Sequence, residues 1–478
     1  MRHRPRLLTA ALALVLVAAA CGGGDDDSSG GGDGPGGSGD TAGAASVDPA
    51  ECGLDEFAAA PKPVEVTMWH ATNRAGAEAV EEMVRRFEAS QDDVRVELIQ
   101  QPGYVDSLTK YLAGLGTGDL PSIVHLEETA VQKVLDSRST IPMQACVDAD
   151  SYDTADFVPR ALEYYSTDGV LRAMPWTVSN PVLMFNRTAF EAAGLDPDDP
   201  PATLDEVRAA AQKIVDTKAA KHGIALRIEP YILEFLYAKS GLQYVNEENG
   251  RAGRATEAEL ATEGGTEIWT WWKDMVDSGL ALDTGGAPGN FDHLLAVGNG
   301  NAAMAFEASS VLGTIRQVLE SGQYEGVKID ASPLPALTEG GGVPVGDGAL
   351  WIPEDAEPAV RGAAWQLVKF LSEPEQQAYL AAQAGFVPIR QSATQDPDLQ
   401  AVWAEEPAFE VSYNQLVEGP NTPATVGSLI GDYQGVRDAV RDGMTTMLAE
   451  GTEPAAAVRS AADAASASMQ EYNARVGE

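Results

Sequence analysis

The chain has 478 residues, 72 of them acidic and 32 lysine or arginine, for a formal charge of −40. So acidic a surface excludes nucleic acid as a partner, because phosphate binding needs basic patches. With a leader and linker set aside, about 430 residues remain, too many for one ordinary core and suited to two lobes.

Residues 1–20 read as a signal peptide. Arg4 and Arg6 precede an apolar run from Leu7 to Ala20, about fourteen residues and too short for a hydrocarbon core of roughly 30 Å. The run ends in Ala18-Ala19-Ala20-Cys21, which resembles a bacterial lipobox and makes Cys21 the expected lipidation site; plain secretion is the alternative. Residues 21–50 are dominated by glycine, serine and aspartate. Such a segment cannot bury enough apolar surface to offset chain entropy and is expected to be a flexible tether with a reach of roughly 25–30 Å. No later apolar run approaches the length of a span. Of three cysteines, Cys52 and Cys146 remain, an even pair in an exported chain and expected to be bonded, with two free thiols as the alternative.

In chain order, Val64–Trp69 alternates apolar and polar residues as a strand does, and Val80, Met83, Val84 and Phe87 mark one helix face. Asp93–Ile99 gives a second strand. Leu108, Tyr111, Leu112 and Leu115 give a second helix, and Ser122–Glu127 a third strand. That alternation predicts a parallel sheet with helices on its faces. Val170–Asn186 is a long extended apolar stretch broken by Pro175 and Pro181. Thr203 and Glu206 form a capping box opening a helix to Ile214. A tryptophan-bearing helix (Thr266–Ser278), strands Ala302–Glu307 and Ala349–Pro353, a helix Val360–Leu371 and C-terminal helices from Tyr433 to Tyr472 follow. Trp269, Trp272 and Trp365 lie at helical spacing and are expected in the core.

No nucleophile elbow, phosphate loop or histidine pair at ligand spacing is present. The run Asp196–Pro200 lacks the spacing of a calcium loop and reads as a turn. No metal or cofactor is expected.

The segments VTMWHATNRAGAEAVEEMVRRFEAS, LAGLGTGDLPSIVHLEE, AMPWTVSNPVLMFNRTAFEAAGLDPDDPPATLDEV, NGNAAMAFEASS, GDGALWIP and FLSEPEQQAYLAAQAGFVPIR, in that order, resemble the extracellular solute-binding proteins of bacterial ABC importers. They are most similar to the carbohydrate group that holds the maltose- and glycerol-3-phosphate-binding proteins, and the resemblance runs from Pro63 to Tyr472. It implies an α/β fold of the periplasmic-binding-protein type II. Residues 62–177 plus 308–372 would form one discontinuous lobe and 182–304 plus 378–472 the other. Crossings are expected near Thr177–Pro181, Phe306–Ser310 and Phe370–Gln377, with the ligand in the cleft and closure by hinge motion.

In that fold Trp69 and His70 end the first strand, Trp176 and Ser179 lie on the first crossing and Ser309 on the second. Gly346 and Gly348 are expected just before a strand. Tyr104, Glu128, Ser179, Ser309 and Gly346 match ligand-contacting positions of the glycerol-3-phosphate-binding pattern. Tyr231 and Tyr433 are further candidates. The pattern's arginine before a Gly-Asn pair is missing from VGSLIGDYQGVR (Val426–Arg437). Arg227 or Arg390 would have to supply a cation in its place. The departure favours a neutral oligosaccharide, or a zwitterionic glycerophosphodiester held by its cationic head, over glycerol 3-phosphate. The expected protein is a monomeric, lipid-anchored binding protein on the outer face of the membrane. It would deliver a small solute to an ABC permease without catalysis; a secreted glycan-acting enzyme and a ligand sensor are the rivals.

Overall fold

Two five-stranded sheets organise the chain. The computed structural model describes residues 47–72, 74–287 and 289–477; the signal segment, Cys21 and the linker to residue 46 lie outside the described residues. The described residues form one compact unit. Its strands are β1 (Val64–His70), β2 (Val94–Gln100), β3 (Ile123–Glu127), β4 (Ser166–Thr167), β5 (Val170–Leu171), β6 (Met174–Ser179), β7 (Pro181–Asn186), β8 (His222–Leu226), β9 (Ala281–Asp283), β10 (Ala302–Ala308), β11 (Ile329–Pro333) and β12 (Gly346–Trp351).

The first sheet has the order β2-β1-β3-β12-β6 and the second β11-β7-β10-β8-β9, while β4 and β5 form a separate small hairpin. In the first sheet β1 runs parallel to β2 and β3, and β12 is antiparallel to β3 and β6. In the second, β8 is parallel to β9 and β10, and β7 is antiparallel to β10 and β11. Parallel neighbours require helical crossovers, and the alternating apolar patterns supply them. The helix Arg74–Ser90 buries Val80, Met83, Val84 and Phe87, the stripe that its sequence predicts. The helix Leu204–Thr217 starts from the capping box, with Glu206 N donating to Thr203 Oγ1 at 3.2 Å and Thr203 N donating to Glu206 Oε2 at 3.0 Å. A cap of this kind contributes about 1 kcal/mol.

The long apolar stretch splits at one residue. β6 and β7 are buried along their whole length, and Asn180 alone carries the chain from one sheet to the other. Asn180 is fully buried. Its Nδ2 donates to the Ser412 carbonyl at 2.9 Å, its side-chain oxygen accepts from Gln415 Nε2, and its carbonyl accepts from Ser309 N at 3.1 Å. Gln415 Nε2 also donates to the Pro181 carbonyl at 2.8 Å. Buried backbone groups at a break in a strand need such partners.

Past Ser309 the chain forms the helix Leu312–Glu320, then returns to the second sheet as β11 before it enters the first as β12. Gly346 and Gly348 lie inside β12, not ahead of it. Glycine is a poor strand former, which is why the sequence places the Gly-Asp-Gly run ahead of the strand. Trp269, Trp272 and Trp365 are buried core residues. Asp198, in the turn after the helix Arg187–Ala193, pairs with Arg187 at 2.6 Å. A disulfide joins Cys52, in the short 3-10 helix Pro49–Cys52, to Cys146 in the helix Met143–Ala149. Among the described residues no helix is long and apolar enough to cross a membrane.

Candidate functional site

The two sheets meet where β6 ends and β12 begins. Gly346 pairs with Ser179 across this junction. A Cβ at Gly346 would lie 2.5 Å from the Tyr231 hydroxyl and 3.0 Å from the Ser179 carbonyl, and one at Gly348 would overlap His125 Nε2. The two glycines therefore admit side chains from β3 and from the helix Pro230–Lys239. Between them Asp347 holds a left-handed backbone, with φ +64°, an uncommon conformation for a residue with a side chain. The strand register shifts just beyond it, between Gly348 and Ala349.

His125, fully buried on β3, anchors one wall. Ala71 N donates to its Nδ1 at 3.3 Å, which leaves the proton on Nε2 to be donated to Thr177 Oγ1 at 2.7 Å. Burial holds its pKa well below the usual histidine range, so the ring is neutral. The Tyr104 hydroxyl lies 3.3 Å from Thr177 Oγ1, and the Tyr104 and Trp176 rings each meet the imidazole edge-on, at 5.0 and 4.8 Å.

The opposite wall is ionic. Arg437, in the helix Tyr433–Glu450, donates to Glu127 at 2.9 Å, to Glu128 at 3.3 Å and to Glu234 at 2.8 Å. Glu127 ends β3, Glu128 opens the 3-10 turn after it, and Glu234 belongs to the helix Pro230–Lys239. Burial opposes the charge of Arg437, but Glu127 and Glu234 keep it firmly protonated. Burial, then the neighbouring Glu127, push the Glu128 carboxyl well above the ordinary carboxylate range. Burial also raises Asp347, to about 6.

Between these walls several buried polar atoms have no hydrogen-bond partner: Glu128 Oε2, Trp176 Nε1, Ser179 Oγ, Tyr231 OH, Ser309 Oγ and Asp347 Oδ2. An unpartnered buried polar atom costs about 1–3 kcal/mol, and six such atoms at the junction of two sheets are what a binding site for a polyhydroxylated molecule requires. A cavity of about 330 Å³ lined by Tyr104, Glu127 and Tyr433 opens beside them. A much smaller one, about 20 Å³, is bounded by Glu128, Glu234 and Tyr433.

Residues 82–411 match the family described as bacterial extracellular solute-binding protein. The chain belongs to that family. The sn-glycerol-3-phosphate-binding periplasmic protein UgpB of Salmonella typhimurium is 24% identical to it over 408 residues, covering 83% of this chain and 91% of the relative. The Pectobacterium atrosepticum protein of the same name is 24% identical over 424 residues, covering 87% and 93%. Among solved structures, the GacH receptor of Streptomyces glaucescens superposes with a TM-score of 0.71 at 20% identity, covering 86% of this chain and 100% of that one. UgpB from Mycobacterium tuberculosis, solved with glycerophosphocholine, gives 0.71 at 18% identity and covers 86% and 99%. These likenesses establish the two-lobed α/β fold of sugar-binding proteins.

In this solute-binding protein Tyr104, Glu128, Trp176, Ser179, Tyr231, Ser309, Gly346 and Tyr433 surround the junction. Tyr433 lies with its ring 5.2 Å from the Arg437 guanidinium. Trp69 and His70 end β1 beside β3, close to His125, and neither is among the unpartnered groups. Trp69 is buried under Lys110 Nζ, 3.8 Å from the ring. His70 Nδ1 lies 2.7 Å from Thr72 Oγ1, and burial lowers its pKa to about 4. Arg390 is not brought to the cluster: it pairs with Asp156 at 2.8 Å and donates to Tyr152 OH at 3.1 Å. Arg227 is paired too, with Glu307 at 3.3 Å and Glu229 at 3.5 Å. The principal groups that the sequence reading missed are Arg437, Glu127, Glu234, Asp347, His125 and Thr177. One signal was available for the first. Tyr433, Arg437, Val440 and Met444 share the buried stripe of their helix, and an arginine on an apolar stripe implies buried acidic partners.

Proposed function

We propose that the protein is the substrate-binding component of an ABC importer, capturing a sugar- or glycerol-phosphate-type solute and passing it to a permease. In this reading Cys21 is lipidated and the linker to about residue 50 holds a monomeric binding domain at the outer face of the membrane. The lobes are 62–177 plus 308–372 and 182–304 plus 378–472, except that β11 (Ile329–Pro333) belongs with the second sheet, and the solute sits among Tyr104, Glu128, Trp176, Ser179, Tyr231, Ser309, Gly346 and Tyr433. No bond is made or broken. The observation that carries the reading is the set of unpartnered buried hydroxyl, indole and carboxyl groups at the sheet junction, which hydroxyls of a solute would satisfy. The names of the relatives support both solute classes.

The test is thermal unfolding of the chain from Ala44 against malto-oligosaccharides, trehalose, glycerol 3-phosphate and glycerophosphocholine. A solute at 100 times its Kd adds about 2.7 kcal/mol, and it is expected back unchanged after prolonged incubation. Consumption of the solute would replace the transport reading with an enzyme; no shift with any member would remove its support. Gly346→Ala places a methyl group against the Tyr231 hydroxyl. It is expected to weaken binding by about tenfold or more, at an overpacking cost of about 1–3 kcal/mol. Unchanged affinity in calorimetry would move the solute away from β12.

A further inference from the structure

Beyond the capture of a solute, the charges at the junction select its chemistry. Four carboxylates, from Glu127, Glu128, Glu234 and Asp347, crowd a region whose guanidinium, Arg437, is already shared by the first three. Glu128 is 3% exposed, yet its Oε2 has no partner, and neither has Asp347 Oδ2. The other nearby cations are committed. Arg227 serves Glu229 and Glu307, Arg251 donates to the carbonyls of Tyr164, Val426 and Gly427, and Lys133, which lines the cavity beside Tyr104, pairs with Asp432 at 3.2 Å. His125 is neutral. An incoming phosphate would meet uncompensated carboxylates and no free cation, at a desolvation cost of several kcal/mol. A cation would meet two unpartnered carboxyl oxygens and the rings of Tyr104, Tyr231 and Tyr433.

We infer that the solute is a polyol or sugar carrying a protonated amine or a quaternary ammonium group, seated between Glu128 and Asp347, and that the site rejects phosphate monoesters. This rests on the solute-binding reading above. Seating the cation requires both carboxyls to ionise, so binding releases protons. Asp347 faces Glu127, Glu128, Tyr104, Tyr231 and the hydroxyls of Ser179 and Ser310. Of these, Glu127 and Glu128 add negative charge, and the guanidinium beside them, Arg437, is already paired with both and with Glu234. Below about pH 6 Asp347 is protonated and the cation loses its partner. Affinity therefore rises with pH through about 6 as Asp347 ionises, and the raised Glu128 carboxyl adds to the rise at higher pH.

The experiment is calorimetric titration of the chain from Ala44 with two matched pairs. One pair is the glucosamine disaccharide against cellobiose; the other is glycerophosphocholine against sn-glycerol 3-phosphate. The expected result is that at least one cationic member binds about tenfold or more tighter than its counterpart, with an observed heat that varies with buffer ionisation enthalpy because protons are released. In Glu128→Gln the preference shrinks by about tenfold while the fold is kept, because the amide retains the carboxyl shape. Binding of cellobiose and of glycerol 3-phosphate as tight as or tighter than that of their cationic counterparts overturns the inference and leaves solute binding intact. So does a cationic probe whose affinity is flat from pH 5 to 7 and unchanged in Glu128→Gln. If none of the four binds but a neutral oligosaccharide shifts the unfolding curve, the inference alone fails. Binding by no compound of any charge removes the solute-binding reading with it.

Discussion

Replacing Arg437 with methionine is expected to cost about 3–5 kcal/mol of unfolding free energy, because it strands the buried carboxyls of Glu128 and Glu234 and the half-buried one of Glu127, which share one guanidinium. The loss comes from the partners left behind more than from the bridge itself. Lysine is not expected to restore it, since one ammonium cannot reproduce the fork that engages Glu234 through both Nε and Nη2. The pH dependence has a definite sign. Without the arginine the carboxyls of the folded state ionise at higher pH than they do unfolded. Their contribution is then fully present below the unfolded carboxylate pKa and is lost as pH rises. The deficit relative to the parent protein should widen from about pH 4.5 to pH 7. Adding Glu234→Gln to the variant should recover part of it. Urea unfolding of the two single variants, the double variant and the parent measures the coupling. A deficit under about 1 kcal/mol at pH 7 would mean that the cluster is solvated.

Removal of the Cys52–Cys146 bond is the second large effect. The bond closes a loop of 94 residues, and loops of that length give a stabilisation of about 2–5 kcal/mol. Both cysteines are fully buried, so alanine at both positions adds a small cavity to the entropic loss. For a chain of this size the unfolding temperature should fall by about 2–5 °C. The parent protein heated with a reductant should approach the double variant. Identical unfolding curves with and without reductant, at a confirmed free-thiol content of two per chain, would show that the bond contributes nothing.

Much of the fold is legible from local pattern. β1 and β2 announce themselves by alternation, the helix Arg74–Ser90 by its apolar stripe, and the helix Leu204–Thr217 by Thr203 and Glu206. These signals lie within a few residues of one another, where backbone periodicity governs. The site is less legible, because its contacts are long-range. Arg437 finds Glu127, Glu128 and Glu234 across 310, 309 and 203 residues, and no local spacing encodes that meeting. Tyr104, Glu128, Ser179 and Ser309 entered through family resemblance, which carries tertiary information that periodicity lacks. Gly346 and Gly348 illustrate the opposite failure. Their composition puts them ahead of the strand, yet they sit in it, where His125 and Tyr231 take the space a side chain would fill.

The single-residue passage at Asn180 has a mechanical consequence. Its neighbours Ser179 and Pro181 belong to different sheets, so a rotation of one sheet against the other at this passage would pivot within one residue of Ser179, a candidate solute contact. A pivot so close to the load gives a long lever: a few degrees of backbone rotation there sweep the distant rims through several ångströms, while the atoms around Ser179 barely translate. Gln415 clamps both Asn180 and Pro181, which makes that side chain the brake on the lever.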